Sequence, residues 1–146
     1  MIGRRTLVEV CMTGLILGNR SVPGGVLIVV NGEVDATNAE QLESYISDKC
    51  RPGEHVVLDL SATTFMDSHG LLVLLHTHTF TRRHGAQVHL AAVHSMPLRL
   101  LELTGLHWAF DIHPDVEQAI AAVSASQDHQ PSGRGTCEPD RRTGYG

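Results

Sequence analysis

Apolar and polar positions fall in blocks along this chain, and the period of the pattern changes from block to block. "GVLIVVNG", Gly25–Gly32, is an unbroken apolar run with β-branched residues, and it predicts a strand buried on both faces. "DATNAEQLESYISDKC" follows. It sets Ala39, Leu42, Ile46 and Cys50 on one helical face, with Thr37 and Glu40 at capping-box spacing. Arg51–Pro52–Gly53 stops that helix, and "HVVLDL" predicts a second short buried strand. A polar loop then ends at Asp67–Ser68. A helix is predicted from Ser68 to Arg83, buried through Leu71, Leu72, Leu74 and Leu75. Arg82, Arg83 and His84 suit its C-terminal dipole, and Gly85 fits the C′ position.

"AQVHLAAV" predicts a third strand, and Ser95 caps a short helix through Leu103 that Gly105 ends. "HWAFDI" predicts a brief edge strand, and Pro114 opens a last helix with Val116, Ile120 and Val123 on one face. A strand near Thr6–Cys11 completes the sheet, while "GNRSVPGG", Gly18–Gly25, reads as a Gly/Pro/Ser loop. The alternation predicts an α/β domain in which helices cover a mixed sheet. From Ser124 onward large apolar residues almost vanish. That stretch cannot offset its ordering entropy, so residues 1–123 read as the domain and 124–146 as a disordered tail.

Composition narrows the function. The net charge of −5 argues against a nucleic-acid partner or an anionic membrane surface, both of which need concentrated Lys and Arg. Cys11, Cys50 and Cys137 are far apart and form no CxxC pair, so a reducing cytosol is expected rather than a disulfide framework. No signal-like core or spanning apolar run is evident, so no membrane insertion is expected. Ten histidines raise the question of a metal. His76 and His78 sit on opposite sides of a helix, and His84, His89 and His94 fall on different elements, so no metal is expected. Gly32 and Gly70 belong to no phosphate-cradling motif, and no cofactor is expected. Glu33 and Asp35 alternate at a strand end and read as capping and solvating groups rather than an acid–base pair.

The candidate chemistry lies in "TTFMDSHGLLVLL", Thr63–Leu75, where a hydroxyl stands at the mouth of a buried helix. Asp67 is placed as N-cap and Ser68 at N1, where backbone N–H groups are unpaired and the dipole is positive. The plainest reading is a cap. A second is phosphorylation. A phosphate there would add about −1.5 to −2 charge beside Asp67 and Asp35, and so repel a partner without unfolding the domain. A third is a nucleophile elbow. Met66 stands where its first glycine belongs, and the consecutive Asp67, Ser68 and His69 cannot converge as a triad.

"VVLDLSATTFMDSHGLLVLL" resembles the central motif of STAS domains of the anti-sigma factor antagonist type. "VVNGEVDATNAEQLE" resembles their upstream signature, and "RLLELTGLHWAFDIHPDVEQAI" their C-terminal elements. The resemblance spans roughly Thr6–Val123. It implies a STAS-like mixed sheet of about five strands covered by about four helices, and a binding protein rather than an enzyme. The implied partner is an anti-sigma factor that is also an ATP-dependent serine kinase, with the ATP belonging to that partner. Unphosphorylated, such a protein holds the anti-sigma factor and frees the sigma factor. Phosphorylation, here on Ser68, breaks the complex, and a serine phosphatase resets it. Gly32, Glu33, Asp35, Thr37, Met66, Asp67, His69 and Gly70 are the implied docking residues, and a homodimer is left open. This chain departs from the family at His69, where Ser or Thr is usual, and in the length of Leu17–Gly25. The alternative is a STAS scaffold subunit of a lipid-transport or stress-signalling assembly with no kinase cycle.

Overall fold

The structure is a computed structural model and describes residues 8–12 and 14–129. Its elements in chain order are β1 (Val8–Met12), β2 (Leu15–Val22), β3 (Gly25–Val34), α1 (Ala39–Lys49), β4 (His55–Asp59) and β5 (Thr63–Met66). They continue with α2 (Ser68–Arg83), β6 (Val88–Ala91), α3 (Ser95–Thr104), a 3-10 turn (His107–Ala109), β7 (Asp111–His113) and α4 (Val116–His129). The strands form one mixed sheet in the order β1-β2-β3-β4-β6-β7, with β5 paired to the far end of β3. β1, β2 and β3 are antiparallel neighbours. The remaining pairs are parallel.

The unbroken apolar runs are explained by cover on both faces. Val26, Ile28, Val56, Leu58, Val88 and Leu90 point into the larger core beneath α1, α2 and α3. Their alternates Leu27, Val57 and Ala91 point to a smaller core with Ala119 and Val123 of α4. The period-two direction of side chains along a strand therefore sorts one apolar run into two cores.

Seven strands are present among the described residues, where about five were expected. The two additional ones were read as loops. β2 runs through Val22 and pairs along its whole length with β3, so only Pro23–Gly24 turns the hairpin. Its polar residues Asn19, Arg20 and Ser21 lie on positions that are not fully buried, which hid the strand in a Gly/Pro/Ser-rich stretch. β5 is only four residues long, half of them Thr, and its strand character comes from pairing with β3 rather than from its own pattern.

Further corrections are local. Leu72 is 49% exposed, and Val73 fills the core in its place at 1%. Ser95 does not cap α3. His94 precedes the helix, and its ring contacts the Ser95 hydroxyl at 2.9 Å and the Ser61 carbonyl at 2.8 Å. "HWAFDI" splits into the 3-10 turn and β7. Pro114 does not open α4, which starts at Val116; Asp115 caps it, its carboxylate accepting from Gln118 N–H at 2.8 Å. α4 runs on to His129, past Ser124 where the tail was expected. Ser124–His129 contains no Gly or Pro, and Pro131 is the first residue that cannot extend a helix. The rest of the expected tail lies outside the described residues.

Candidate functional site

Parallel pairing of β3 with β5 builds the site. Val34 lies opposite Met66, and the Asp67 N–H donates to the Val34 carbonyl at 3.2 Å. Both strands end at this pair, so the chain leaves β3 at Asp35 and β5 at Asp67, side by side. The register between these strands shifts at Gly32/Glu33, a bulge that re-aims the end of β3. Gly32 is required there. It sits at φ +123°, and a Cβ would lie 2.2 Å from the Gly14 carbonyl oxygen.

Beyond β3 the loop is fixed by its own side chains. Asp35 accepts at one carboxylate oxygen from the Thr37 N–H at 2.9 Å and from the Thr37 hydroxyl at 2.5 Å. The Thr37 hydroxyl first, then its N–H, hold the Asp35 carboxyl below its ordinary value; desolvation opposes them, and the charge of His69 adds a lesser lowering. The predicted capping box at Thr37 is not formed, because α1 begins at Ala39 and so puts Thr37 one residue before the cap position. Asn38 occupies the cap position of α1 without capping it through its side chain. It is 1% exposed, and its amide accepts from Asp35 N–H at 3.0 Å and donates to the Glu33 carbonyl at 2.8 Å. Sequence reasoning missed Asn38. The signal was a short amide side chain between a strand end and a helix, a residue that favours local backbone bonding.

Beyond β5, Asp67 caps α2 as expected. Its carboxylate accepts from His69 N–H at 2.8 Å and Gly70 N–H at 3.4 Å. Ser68 is the first residue of α2 and is exposed. Its hydroxyl has no hydrogen-bond partner among the described residues. His69 is also exposed, with Nδ1 3.4 Å from the Asp67 carboxylate. Gly70 is buried, and a Cβ on it would meet Met66 at 2.5 Å and Val34 at 2.8 Å, so the first turn of α2 presses directly onto β3 and β5. Leu71, Val73 and Leu74 continue that contact into the core.

Of the expected docking residues, Glu33, Thr37 and His69 are exposed with Ser68, while Gly32, Asp35 and Asp67 are half-buried. Met66 is not at the surface. At 1% exposure it is core, packed beneath Gly70, and it shapes the site from below. The exposed group is polar and acidic. The Asp67 carboxylate is engaged by backbone N–H groups, and no base contacts the Ser68 hydroxyl among the described residues, so the geometry suits presentation of a hydroxyl rather than its activation. Among the described residues no three His, Cys, Asp or Glu side chains converge for a metal ion, and no helix is long and apolar enough to cross a membrane.

The STAS domain family model matches residues 19–119. The chain belongs to the STAS domain family. An anti-sigma F factor antagonist from Paenibacillus polymyxa is 32% identical over 103 residues, covering 68% of this chain and 86% of that protein. The structure of the anti-sigma factor antagonist SpoIIAA in its unphosphorylated form is similar at TM-score 0.65 and 20% identity, over 75% of this chain and 96% of that one. Part of the murine Slc26a9 anion transporter has the same STAS fold, at TM-score 0.64 and 16% identity, over 82% of this chain but 22% of that one. The shared fold thus occurs both as a small free-standing protein and inside a membrane transporter.

Proposed function

We propose that this STAS protein is an anti-sigma factor antagonist whose binding is gated by phosphorylation of Ser68. The observation that carries the reading is the exposed, unpartnered Ser68 hydroxyl at the first turn of a helix whose start is locked by Asp67 and Gly70. The likeness to the Paenibacillus antagonist supports it. In the unphosphorylated state, Ser68, His69, Thr37 and Glu33 form a neutral-to-acidic docking face for an anti-sigma factor with serine kinase activity. A phosphate adds about −1.5 to −2 charge next to Asp67 and Asp35. Any partner contact made at that spot then meets like-charge repulsion and must desolvate a dianion. A serine phosphatase restores the binding state. His69, where the family usually has Ser or Thr, sits close enough to touch the phosphate and tunes recognition.

The test uses Ser68→Ala and Ser68→Asp proteins as baits in lysate of the source cell. Retention of a small histidine-kinase-like ATPase by the Ala bait, with loss by the Asp bait, is the expected result. Equal retention by both contradicts the switch. Recovery of transporter subunits by both baits would favour the scaffold reading, which the likeness to part of an anion transporter supports.

A further inference from the structure

Far from Ser68, two large apolar side chains stand almost free of the fold. Leu103 is 75% exposed and Trp108 is 77% exposed. Both belong to the segment formed by α3 and the 3-10 turn that packs against it. Trp108 and Ala109 form one wall of an open cleft of about 620 Å³, and His78, Thr79, Arg82 and Arg83 on the last turns of α2 form the other. Arg82 lies some 20 Å along the helix axis from Ser68 at 1.5 Å per residue.

The charge of this cleft is the reverse of the chain's. The whole sequence carries −5, yet the cleft wall bears two guanidiniums. Neither Arg82 nor Arg83 makes an ion pair among the described residues. Asp111 lines a small adjoining cavity with Arg82 without reaching it in a salt bridge. His78 adds little positive charge near neutrality, because burial first and then Arg82 lower its pKa. The concavity is open to solvent on one side. A small ligand would keep too much of its surface wet there, since such ligands bind where most of their area is enclosed. An indole beside paired guanidiniums is instead the composition of a protein-binding hot spot, where Trp and Arg are enriched. Guanidiniums donate to carboxylates in a bidentate fork, and the indole face takes an apolar side chain.

We propose that this cleft docks an acidic peptide segment of a protein partner, one that carries at least one large apolar side chain. It does so independently of the state of Ser68. The net charge of −5 opposes an acidic partner in general, and the two adjacent guanidiniums of this cleft offset that repulsion locally, so charge helps to fix the register of docking.

The test uses the chain's own reporter, because Trp108 is its single tryptophan. The full chain is titrated with short synthetic peptides of alternating Glu and Leu, with Lys–Leu and Glu–Ser peptides as controls. A saturable blue shift with Glu–Leu alone is expected. It should weaken at least about tenfold in the Arg82→Glu/Arg83→Glu protein, equivalent to about 1.4 kcal/mol, and should be equal in Ser68→Ala and Ser68→Asp. Raising the salt should weaken it as well. No saturable shift, or a shift unchanged by reversal of the two arginines, overturns the proposal. So does a free chain whose emission is already that of buried indole, or that shifts blue with its own concentration. Its own C-terminal segment or a second copy would then fill the cleft.

Discussion

The two faces of the sheet solve the same packing problem in different ways. Under α1, α2 and α3 the core is large and apolar, and the polar groups within it are paired. The Thr63 hydroxyl donates to the Val30 carbonyl at 2.7 Å, Thr77 to Val73 at 2.8 Å, and both ends of the Asn38 amide are used. Under α4 the core is smaller, and next to it His89 is 2% exposed on β6. Its Nδ1 lies 3.1 Å from Nε2 of His113, its ring meets those of His55 and His113, and its Nε2 is buried with no partner among the described residues. The first face backs the Ser68 surface with close contacts that have no slack. The second carries a buried base. The proposed switch, which must accept a dianion without unfolding, needs the first kind of support, and it should be least sensitive to acid where the packing is apolar.

The largest effect should come from breaking the first face at its tightest point. Gly70→Val places a branched side chain against Met66 and Val34, where even a Cβ would sit at 2.5 Å and 2.8 Å. A loss of about 3 kcal/mol or more in urea unfolding is expected, at or above the usual range for overpacking. A change under about 1 kcal/mol would mean that the start of α2 yields easily.

Acid should act next, and through the second face. Burial drives His89 from the ordinary histidine value near 6.5 down to about 4, with His113 and His55 adding to the fall and Asp111 opposing it. The unfolded chain then binds the proton more readily than the folded one. Stability is intact above pH 6.5 and is lost as pH falls toward 4, on the order of 3 kcal/mol from this group by the linkage relation. His89→Leu should flatten the stability profile between pH 6.5 and 4.5. An unchanged slope would place the acid-sensitive group elsewhere.

Asp67→Ala returns to the first face and removes a cap. A cost of about 1 kcal/mol is expected, with Asp67→Asn recovering most of it. The smallest effect is electrostatic. Thr37→Val removes the hydroxyl that most lowers the Asp35 pKa, so the Asp35 carboxyl carbon should titrate at a higher pH by NMR while the fold stays unchanged. A titration identical to wild type would show that the backbone N–H alone sets it.

Much of this was legible in the sequence where a residue's own chemistry decides its place. α2 begins and ends where Asp67 and Gly85 predict, and the continuous apolar runs of β3 and β4 do mark strands covered on both sides. What stayed hidden was decided by neighbours. β5 is a strand only because β3 lies beside it, and β2 only because β3 pairs it through Val22. Thr37 has capping-box spacing, but α1 starts one residue later, with Asn38 held in the cap position by the Asp35 N–H and the Glu33 carbonyl. Met66 belongs to the motif yet is buried by the turn that Gly70 permits. Within the site, the exposure of each residue depends on the β3–β5 register, which no single segment of sequence shows.

The most direct measurement installs phosphoserine at position 68 of the full chain and compares it with the unmodified protein in one NMR and binding experiment. A phosphate-gated switch requires amide shifts confined to the start of α2 and the Asp35–Asn38 loop, with β4 and β6 unmoved. It also requires affinity for the proposed anti-sigma factor partner to fall by roughly a hundredfold, about 2.7 kcal/mol. Shifts spread through the core, or affinity unchanged by the phosphate, would contradict it.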